Sequence, residues 1–206
     1  MSSEISSVGP ARGRPRSDQV DQAILAAAAA LLSERGLEAM TIEDVAALAG
    51  VGKASIYRRW PTKGALALDA FLIDFLTQQP PVDTGVLEDD LREALTLWSA
   101  AVVGTSTGRA LVGLIAAAQA DEELSRSWIE RVMKPVREQH RTMVDRAIAR
   151  GEIPARTDVD VIMDLLYGAA YHRLLQGHLA ITPEFIELVA RMVAVGARSG
   201  GAVATS

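Results

Sequence analysis

The sequence predicts an all-α protein. Alanine and leucine are its commonest residues, aromatic residues make up only 4 % of the chain, and no segment shows the apolar-polar alternation of a half-buried strand. Of the 206 residues, 49 % are hydrophobic and 23 % are charged, so the chain can bury a substantial core. This length fits one large domain, or a small domain fused to a larger one.

The N-terminal segment and the first helix differ sharply in composition. Residues 1–16 are rich in Ser, Gly, Pro and Arg and show no apolar period, so we interpret them as a flexible basic arm. Ser17 or Asp18 can cap the helix that follows, in which apolar residues recur at helical spacing. Gly36 is placed to end this helix in a left-handed conformation.

Two short helices follow. Thr41 is placed to cap the first of them, and Gly50 ends it. The next begins near Lys53 and stops before Pro61, because proline disrupts a helix interior. Thr62 can then cap a fourth helix, which we expect to run to about residue 77.

Beyond a loop at residues 78–85 the chain is predicted to remain helical. The expected helices cover about residues 88–103, 107–119, 121–150, 158–178 and 183–198. Gly151 and the pair Thr182-Pro183 mark helix boundaries, and Pro135 should kink or split its helix. We therefore predict three regions: the arm 1–16, a three-helix domain 17–66, and a larger helical domain 67–206.

The charge is unevenly distributed. The whole chain carries a net charge of −5, yet residues 1–66 carry +1 and the remainder carries −6. Apart from Arg35, the basic residues of the first part fall into two clusters, Arg12–Arg16 and Lys53–Lys63. Since local charge attracts phosphate, the overall acidity does not exclude nucleic acid as a partner.

The two short helices and their Gly-containing turn have the spacing of a helix-turn-helix unit. In the second of them, Ile56 and Trp60 lie four residues apart and define the inward face. The remaining residues face outward or lie on the flanks: Ala54, Ser55, Tyr57, Arg58 and Arg59.

This arrangement is typical of a helix that binds in the major groove of double-stranded DNA. Arg58 can donate two hydrogen bonds to guanine O6 and N7, and Ala54 and Ser55 are small enough for close approach. Lys63 lies in the first turn of the next helix, where free amides also bind phosphate. The predicted DNA-binding residues are Arg14, Arg16, Thr41, Lys53, Ala54, Ser55, Tyr57, Arg58, Arg59 and Lys63.

The arm leaves two interpretations open. Its arginines could lie in the minor groove beside the helix, where narrow A·T tracts attract Arg. They could equally belong to a disordered tail that aids solubility.

In this region the chain resembles the TetR family of transcriptional regulators. The positions of the family pattern are occupied here by Thr41, Val45, Ala46, Ala49, Gly50, Val51, Gly52, Ile56, Tyr57, Arg59, Trp60, Thr62, Lys63 and Leu66. Three of them depart from the usual family residue. Gly52 stands where Ser usually caps the recognition helix, Trp60 replaces Phe, and Arg59 replaces His or Tyr.

The resemblance implies a C-terminal domain that binds a small molecule and forms a homodimer through its last two long helices. The sequence favours such a dimer independently, because the helices 158–178 and 183–198 are apolar on more than one face. The alternative is a single crowded core within one chain.

Candidate residues for a ligand chamber combine apolar surface with a few polar tips. They are Trp98, Val102, Leu114, Ala118, Trp128, Met133, His140 and Tyr167. Each of them could instead be an ordinary core or surface residue. Their apolar character favours a hydrophobic or amphipathic effector.

Catalysis finds little support in the sequence. There is no Cys, and the three His residues lack a neighbouring nucleophile or metal-ligand spacing, so we predict no enzyme, metal or cofactor. His172 and His178, six residues apart, should lie on different faces of one helix. The longest apolar run, 23–32, is too short to span a bilayer, and residues 1–9 do not read as a signal peptide.

These observations predict a cytoplasmic, ligand-responsive regulator. It would bind a palindromic operator as a dimer, most simply as a repressor that a small hydrophobic effector releases. An activator with the same fold is a close alternative. The alternative from another class is a helical carrier or enzyme with an incidental basic segment.

Overall fold

The computed structural model describes residues 14–75 and 80–200, and this part of the chain folds into ten α-helices without a β-strand. The predicted all-α class is therefore confirmed. The helices are α1 (Arg14–Ala39), α2 (Ile42–Ala49), α3 (Lys53–Tyr57), α4 (Lys63–Phe75), α5 (Leu87–Val102), α6 (Ser106–Ala118), α7 (Glu122–Trp128), α8 (Lys134–Ala149), α9 (Val159–Gln176) and α10 (Pro183–Arg198).

The first helix begins earlier than predicted, at Arg14 rather than at Ser17 or Asp18. Gly36 has a positive φ of 77°, as expected for a residue that interrupts a helix, but its ψ of 173° is extended rather than left-handed. The chain then makes one more helical turn to Ala39. Most of the predicted flexible arm, residues 1–13, lies outside the described residues.

The predicted caps of the next helices are present. The Thr41 hydroxyl accepts a hydrogen bond from the Asp44 amide at 3.1 Å, and Gly50 ends α2 with φ 67° and ψ 33°. The Thr62 hydroxyl accepts from the Ala65 amide at 3.1 Å at the start of α4. Gly52 precedes α3 and provides no side-chain cap, in contrast to the Ser that usually stands there in the family.

Helices α4 and α6 connect the N-terminal helices to the rest of the chain. Both pack on α1, and Arg109 of α6 donates a hydrogen bond to the Ser33 carbonyl of α1 at 3.1 Å. Helix α5 packs mainly against α10 in the larger domain. One contiguous set of buried apolar side chains extends through both parts.

The predicted long helix 121–150 is split, as expected from Pro135. Helix α7 passes into a π-helical turn, Ile129–Met133, and α8 begins directly after it. Pro135 has no backbone N–H to donate to the Arg131 carbonyl, so regular α-helical hydrogen bonding cannot continue through this point.

The end of α9 corrects one expectation. Gly177, with φ 64°, ends the helix and turns the chain back, so the rings of His172 and His178 meet with centroids 4.8 Å apart. They do not lie on separate faces of a continuing helix. Helix α10 begins as predicted, with Pro183 in its first turn and the Thr182 hydroxyl accepting from the Phe185 amide at 3.3 Å.

Among the residues that the structure describes, no single helix is long and apolar enough to cross a membrane. Only α5 and α6 taken together reach that length and composition, and they meet at a bend of 91°.

Candidate nucleic-acid interface and ligand cavity

Helix α3 has the orientation that its sequence predicted. Ile56 is fully buried and Trp60, just beyond the helix, is 7 % exposed, so both anchor the segment to the protein. Ala54 and Arg58 are exposed and Ser55 is partly exposed. The outer face of α3 therefore combines small side chains with a guanidinium group, which suits close approach to a polyanion.

Arg58 differs from the other basic residues around α3. Within residues 14–75 and 80–200 its side chain has no ion pair and no hydrogen bond. Arg59, by contrast, forms an ion pair with Asp21 of α1 and donates to the Ser55 carbonyl at 3.1 Å. Arg59 thus fixes α3 to α1, whereas Arg58 extends away from its own subunit.

The two lysines of this surface have weak, exposed partners. Lys53 lies 2.7 Å from Glu43, and this hydrogen bond lowers the pKa of Glu43 and raises that of Lys53. Lys63 donates to the Glu38 carbonyl at 3.1 Å. Exposed pairs of this kind contribute little to stability, so either lysine can exchange its partner for a phosphate at small cost.

The remaining predicted DNA-binding residues include two exposed hydroxyl groups and two arginines near the N-terminus. Tyr57 is 50 % exposed on the flank of α3, and Thr41 is exposed at the start of α2. The side chains of Arg14 and Arg16 lie outside the described residues. Gly64, next to Lys63, approaches α7 closely, because an added Cβ would lie 2.9 Å from Cδ2 of Leu124.

A bridge of side chains links the end of α3 to the larger domain. The Trp60 indole N–H donates to Asp69 of α4 at 2.8 Å, and Arg131 forms an ion pair with the other oxygen of the same carboxylate. Arg131 belongs to the π-helical turn before α8. The Trp60 that replaces the family's Phe therefore supplies an indole N–H that phenylalanine lacks.

The larger domain contains an aromatic cavity of about 250 Å³. It is lined by Phe75, Trp98, Val132, Met133, Val136, Arg137, His140, Met163, Asp164, Tyr167, Gly168 and Tyr171. Four of these residues were predicted from the sequence: Trp98, Met133, His140 and Tyr167. Val132 and Met133 follow Arg131 directly, so the π-helical turn joins the cavity to the bridge.

The other four residues predicted to line a ligand chamber do not line this cavity. Val102, Leu114 and Ala118 are buried in helix packing, and Trp128 contacts the Phe71 ring, with centroids 6.0 Å apart. All four do face inward, as their helical spacing indicated. The spacing could not show that the interior is filled where they lie.

Sequence reasoning missed Tyr171, although a signal was present, since it lies one helical turn after Tyr167. The ring of Trp98 contacts both, with centroids 5.0 Å from Tyr171 and 5.9 Å from Tyr167. Phe75 was also missed. It stacks on Phe71 at 4.6 Å and brings the end of α4 to the cavity wall.

His140 is held between two partners. Its Nδ1 lies 2.6 Å from the Val136 carbonyl, and its Nε2 lies 2.7 Å from the Tyr167 hydroxyl. Burial lowers the pKa of His140, because charging the ring in this apolar setting is costly. Burial likewise raises the pKa of Tyr167 and of Tyr171. Burial therefore favours the uncharged forms of His140, Tyr167 and Tyr171, while the charged groups of the lining, Arg137 and Asp164, form an ion pair with each other.

Helices α9 and α10 carry apolar side chains on an outer face as well as an inner one. On α9, Val161, Leu165 and Leu175 are exposed. On α10, Leu188, Met192 and Val195 recur at i, i+4 and i+7 and are 46 %, 65 % and 54 % exposed. We call these six residues the outer stripe.

In the described part of the chain, no group of three or more His, Asp, Glu or Cys side chains is placed to hold a metal ion. The features present are a short exposed helix with basic flanks, a bridge and an apolar chamber. This combination defines a helix-turn-helix DNA-binding protein with a helical C-terminal domain.

Comparison with known proteins identifies the particular family. Residues 24–70 match the family model for bacterial regulatory proteins of the tetR family, and residues 81–193 match the model for the tetracyclin repressor-like C-terminal domain. The chain belongs to the TetR family of transcriptional regulators. Its homologues and its fold are those of regulators rather than enzymes, as the sequence predicted.

Individual relatives support this assignment. The chain is 37 % identical over 165 residues to the uncharacterized HTH-type transcriptional regulator YdeS of Bacillus subtilis, covering 80 % of this chain and 82 % of that one. It is 33 % identical over 177 residues to the DNA-binding transcriptional repressor TetR of Mycobacteroides abscessus, covering 81 % and 86 %. The crystal structure of the TetR family regulator SCO0332 superposes with a TM-score of 0.75 at 32 % identity, covering 86 % and 98 %.

Proposed function

We propose that this protein is a ligand-responsive repressor that binds a palindromic operator as a homodimer in the cytoplasm. The observation that carries the proposal is the orientation of α3, in which Ile56 and Trp60 are buried and Arg58 extends outward without a partner in the described chain. The relative from M. abscessus, which is named a repressor, supports repression over activation.

The contacts with DNA divide by role. Arg58 hydrogen-bonds a guanine, while Ala54 and Ser55 allow α3 to enter the major groove. Lys53 and Lys63 leave their weak partners and bind phosphates, with Thr41 and Tyr57 as hydroxyl donors beside them. Arg59 positions α3 through Asp21, and Arg14 and Arg16 bind in the minor groove.

The dimer forms through the outer stripe. Two copies related by a two-fold axis cover the stripe and place two α3 helices on one face of the duplex. Glutamate introduced at Leu165 and Met192 together should give a monomer in analytical ultracentrifugation and remove operator binding. A dimer that persists in this double variant would contradict the proposed interface.

The effector occupies the cavity and acts on DNA binding through Asp69. The carboxylate of Asp69 connects Trp60, at the end of α3, to Arg131 in the π-helical turn. An occupant that displaces Met133 moves this turn, and through the bridge it shifts the DNA-binding helices α2 and α3. A coupling of about 1–3 kcal/mol, or roughly 5–150-fold in operator affinity, is typical of such linkage.

This coupling can be tested without knowing the effector. Met133→Trp fills part of the cavity with the protein's own side chain, and it should lower operator affinity by a factor within that range. In an Arg131→Gln background the same substitution should have little further effect, because the bridge is already broken. An equal loss in both backgrounds would contradict the pathway.

DNA binding itself can be tested directly on the purified protein. We expect retention on immobilised duplex DNA that declines steeply with salt, because phosphate contacts release counterions. A helical carrier or enzyme with an incidental basic segment would not be retained, and that result would overturn the proposal.

A further inference from the structure

The hydrogen bonds of His140 determine whether the Tyr167 hydroxyl can donate a hydrogen bond to a ligand or only accept one. A backbone carbonyl can only accept, so His140 must donate its Nδ1 proton to the Val136 carbonyl. In the neutral ring, Nε2 is then an acceptor, and the Tyr167 hydroxyl donates its proton to it at 2.7 Å. Tyr167 therefore has only oxygen lone pairs left to offer a ligand.

Tyr171, in contrast, can donate a hydrogen bond to a ligand. Its ring packs against Trp98 with centroids 5.0 Å apart, and the indole N–H, which can only donate, lowers the pKa of the hydroxyl that burial raises. No residue in the described part of the chain accepts the Tyr171 hydroxyl proton. The cavity thus presents an acceptor and a donor one turn apart on α9, and both phenol rings touch Trp98.

Charged groups at the cavity wall are already compensated. Arg137 forms ion pairs with Asp160, at 2.8 Å, and with Asp164, and Arg141 lies 3.6 Å from Asp160. Two carboxylates thus face two guanidinium groups. An anion would compete with two carboxylates for Arg137, and a cation would compete with Arg137 for Asp164, so the wall offers a ligand no unpaired charge.

Size sets a further limit. A volume of about 250 Å³ lies below the roughly 300–1,000 Å³ usual for drug-sized ligands, so the occupant is small. The remaining wall is aromatic and aliphatic: Phe75, Val132, Met133 and Met163 contribute apolar surface. Such a wall favours an apolar body with one polar group.

We propose that the cavity binds a small uncharged apolar molecule bearing a hydroxyl group, a phenol or an alcohol, whose O–H donates to Tyr167 and whose oxygen accepts from Tyr171. A hydroxyl is the single uncharged group that does both with one oxygen. This inference rests on the proposed effector site and specifies the chemistry of its ligand.

The test uses matched probes and the whole protein without DNA. The probes are 1-naphthol, 2-naphthol and 4-phenylphenol, their three methyl ethers, and 1-naphthoate, with binding measured by calorimetry. A methyl ether keeps the acceptor oxygen but has no proton for Tyr167. We expect at least one phenol to bind ten or more times more tightly than its ether, and the carboxylate not to bind.

Two variants separate hydrogen bonding from shape. In Tyr167→Phe, affinity for the phenol should fall about tenfold while affinity for its ether is unchanged. In His140→Leu, the Tyr167 hydroxyl loses its acceptor and can donate to the ether, so the ether should bind more tightly than to the unaltered protein. Thr142→Val, which removes an exposed hydroxyl from α8, serves as the matched control with unaltered selectivity.

The outcomes are distinguishable from those for DNA binding. If no phenol binds, if ethers bind equally well, or if the naphthoate binds best, the ligand class is wrong even where the protein still binds its operator. A His140→Leu variant that binds ethers no better would equally overturn the assigned hydrogen-bond directions. Failure to bind DNA, measured separately, would instead contradict the proposed function.

Discussion

The DNA-facing end and the cavity hold their polar groups in opposite ways. Around α3 the basic side chains other than Arg59 are exposed, and they are either without a partner in the described chain, as Arg58 is, or loosely paired, as Lys53 is with Glu43. In the cavity, His140 and Tyr167 are enclosed and fixed by short hydrogen bonds. Exposed pairs exchange partners at little cost, whereas enclosed groups left unpaired are costly.

This difference fits the two tasks. A surface that binds DNA must release its own contacts each time it meets phosphate, so weak partners are an advantage. A small chamber that distinguishes ligands needs fixed donors and acceptors, because selectivity comes from groups left unpaired by the wrong molecule. Substitutions at the two ends should therefore affect different quantities: operator affinity at α3, and stability or ligand selectivity at the cavity.

The largest expected effect is on operator affinity. Arg58→Ala should cost about 1–3 kcal/mol, or roughly 5–150-fold, and should relax the preference at one base position. Fluorescence anisotropy with the operator and its single-base variants measures both. Arg156→Ala, in the loop before α9, is the matched control, and an equal loss on every sequence would show that Arg58 does not read a base.

At the cavity, the comparison predicts a loss of stability. Tyr167→Phe leaves Nε2 of His140 without its donor, so the free energy of unfolding in urea should fall by about 1–3 kcal/mol. Tyr57→Phe is the same change on the exposed flank of α3, and there we expect a difference within about 0.5 kcal/mol. Similar losses at both positions would contradict the distinction between the two ends.

A smaller effect concerns pH. Burial lowers the pKa of His140 in the folded protein. Below about pH 6.5 the His140 ring is therefore protonated in the unfolded chain more readily than in the folded chain. Stability should therefore fall as the pH falls through this value. The fall should be steeper in the unaltered protein than in His140→Leu, when urea unfolding is measured from pH 7.5 to 5.5. Identical slopes would show that His140 does not contribute.

The smallest predicted effect is at the exposed pair. Glu43→Gln removes the carboxylate that holds Lys53, so operator affinity at low salt should rise a few-fold while the thermal midpoint stays unchanged. Titrations at 50 and 200 mM salt test this, since the gain should shrink as screening increases. A lower operator affinity would mean that Glu43 positions Lys53 for DNA rather than competing for it.

The two ends also differ in how far sequence alone could describe them. The faces of α3 follow from helical geometry within a few residues, so the burial of Ile56 and Trp60 was predictable. The cavity depends on how α4, α5, α8 and α9 meet, and helical spacing shows only that Val102 or Leu114 points inward. It cannot show whether that part of the interior is filled.

The bridge through Asp69 illustrates the same limit. Trp60 was recognised as a departure from the family residue and was expected to face inward. The ion pair that completes the bridge could not be predicted, because Asp69 and Arg131 lie 62 residues apart in sequence and meet only through the packing of α4 against α7 and the following turn.

The most direct test of the account is the selection of bound sites from random DNA duplexes by the purified protein. The orientation of α3 and the proposed two-fold dimer predict enrichment of an inverted repeat whose half-sites are centred one helical turn apart, about 34–36 Å, or a multiple of that distance. Recovery of no preferred sequence, or of a single half-site without its inverted copy, would contradict it.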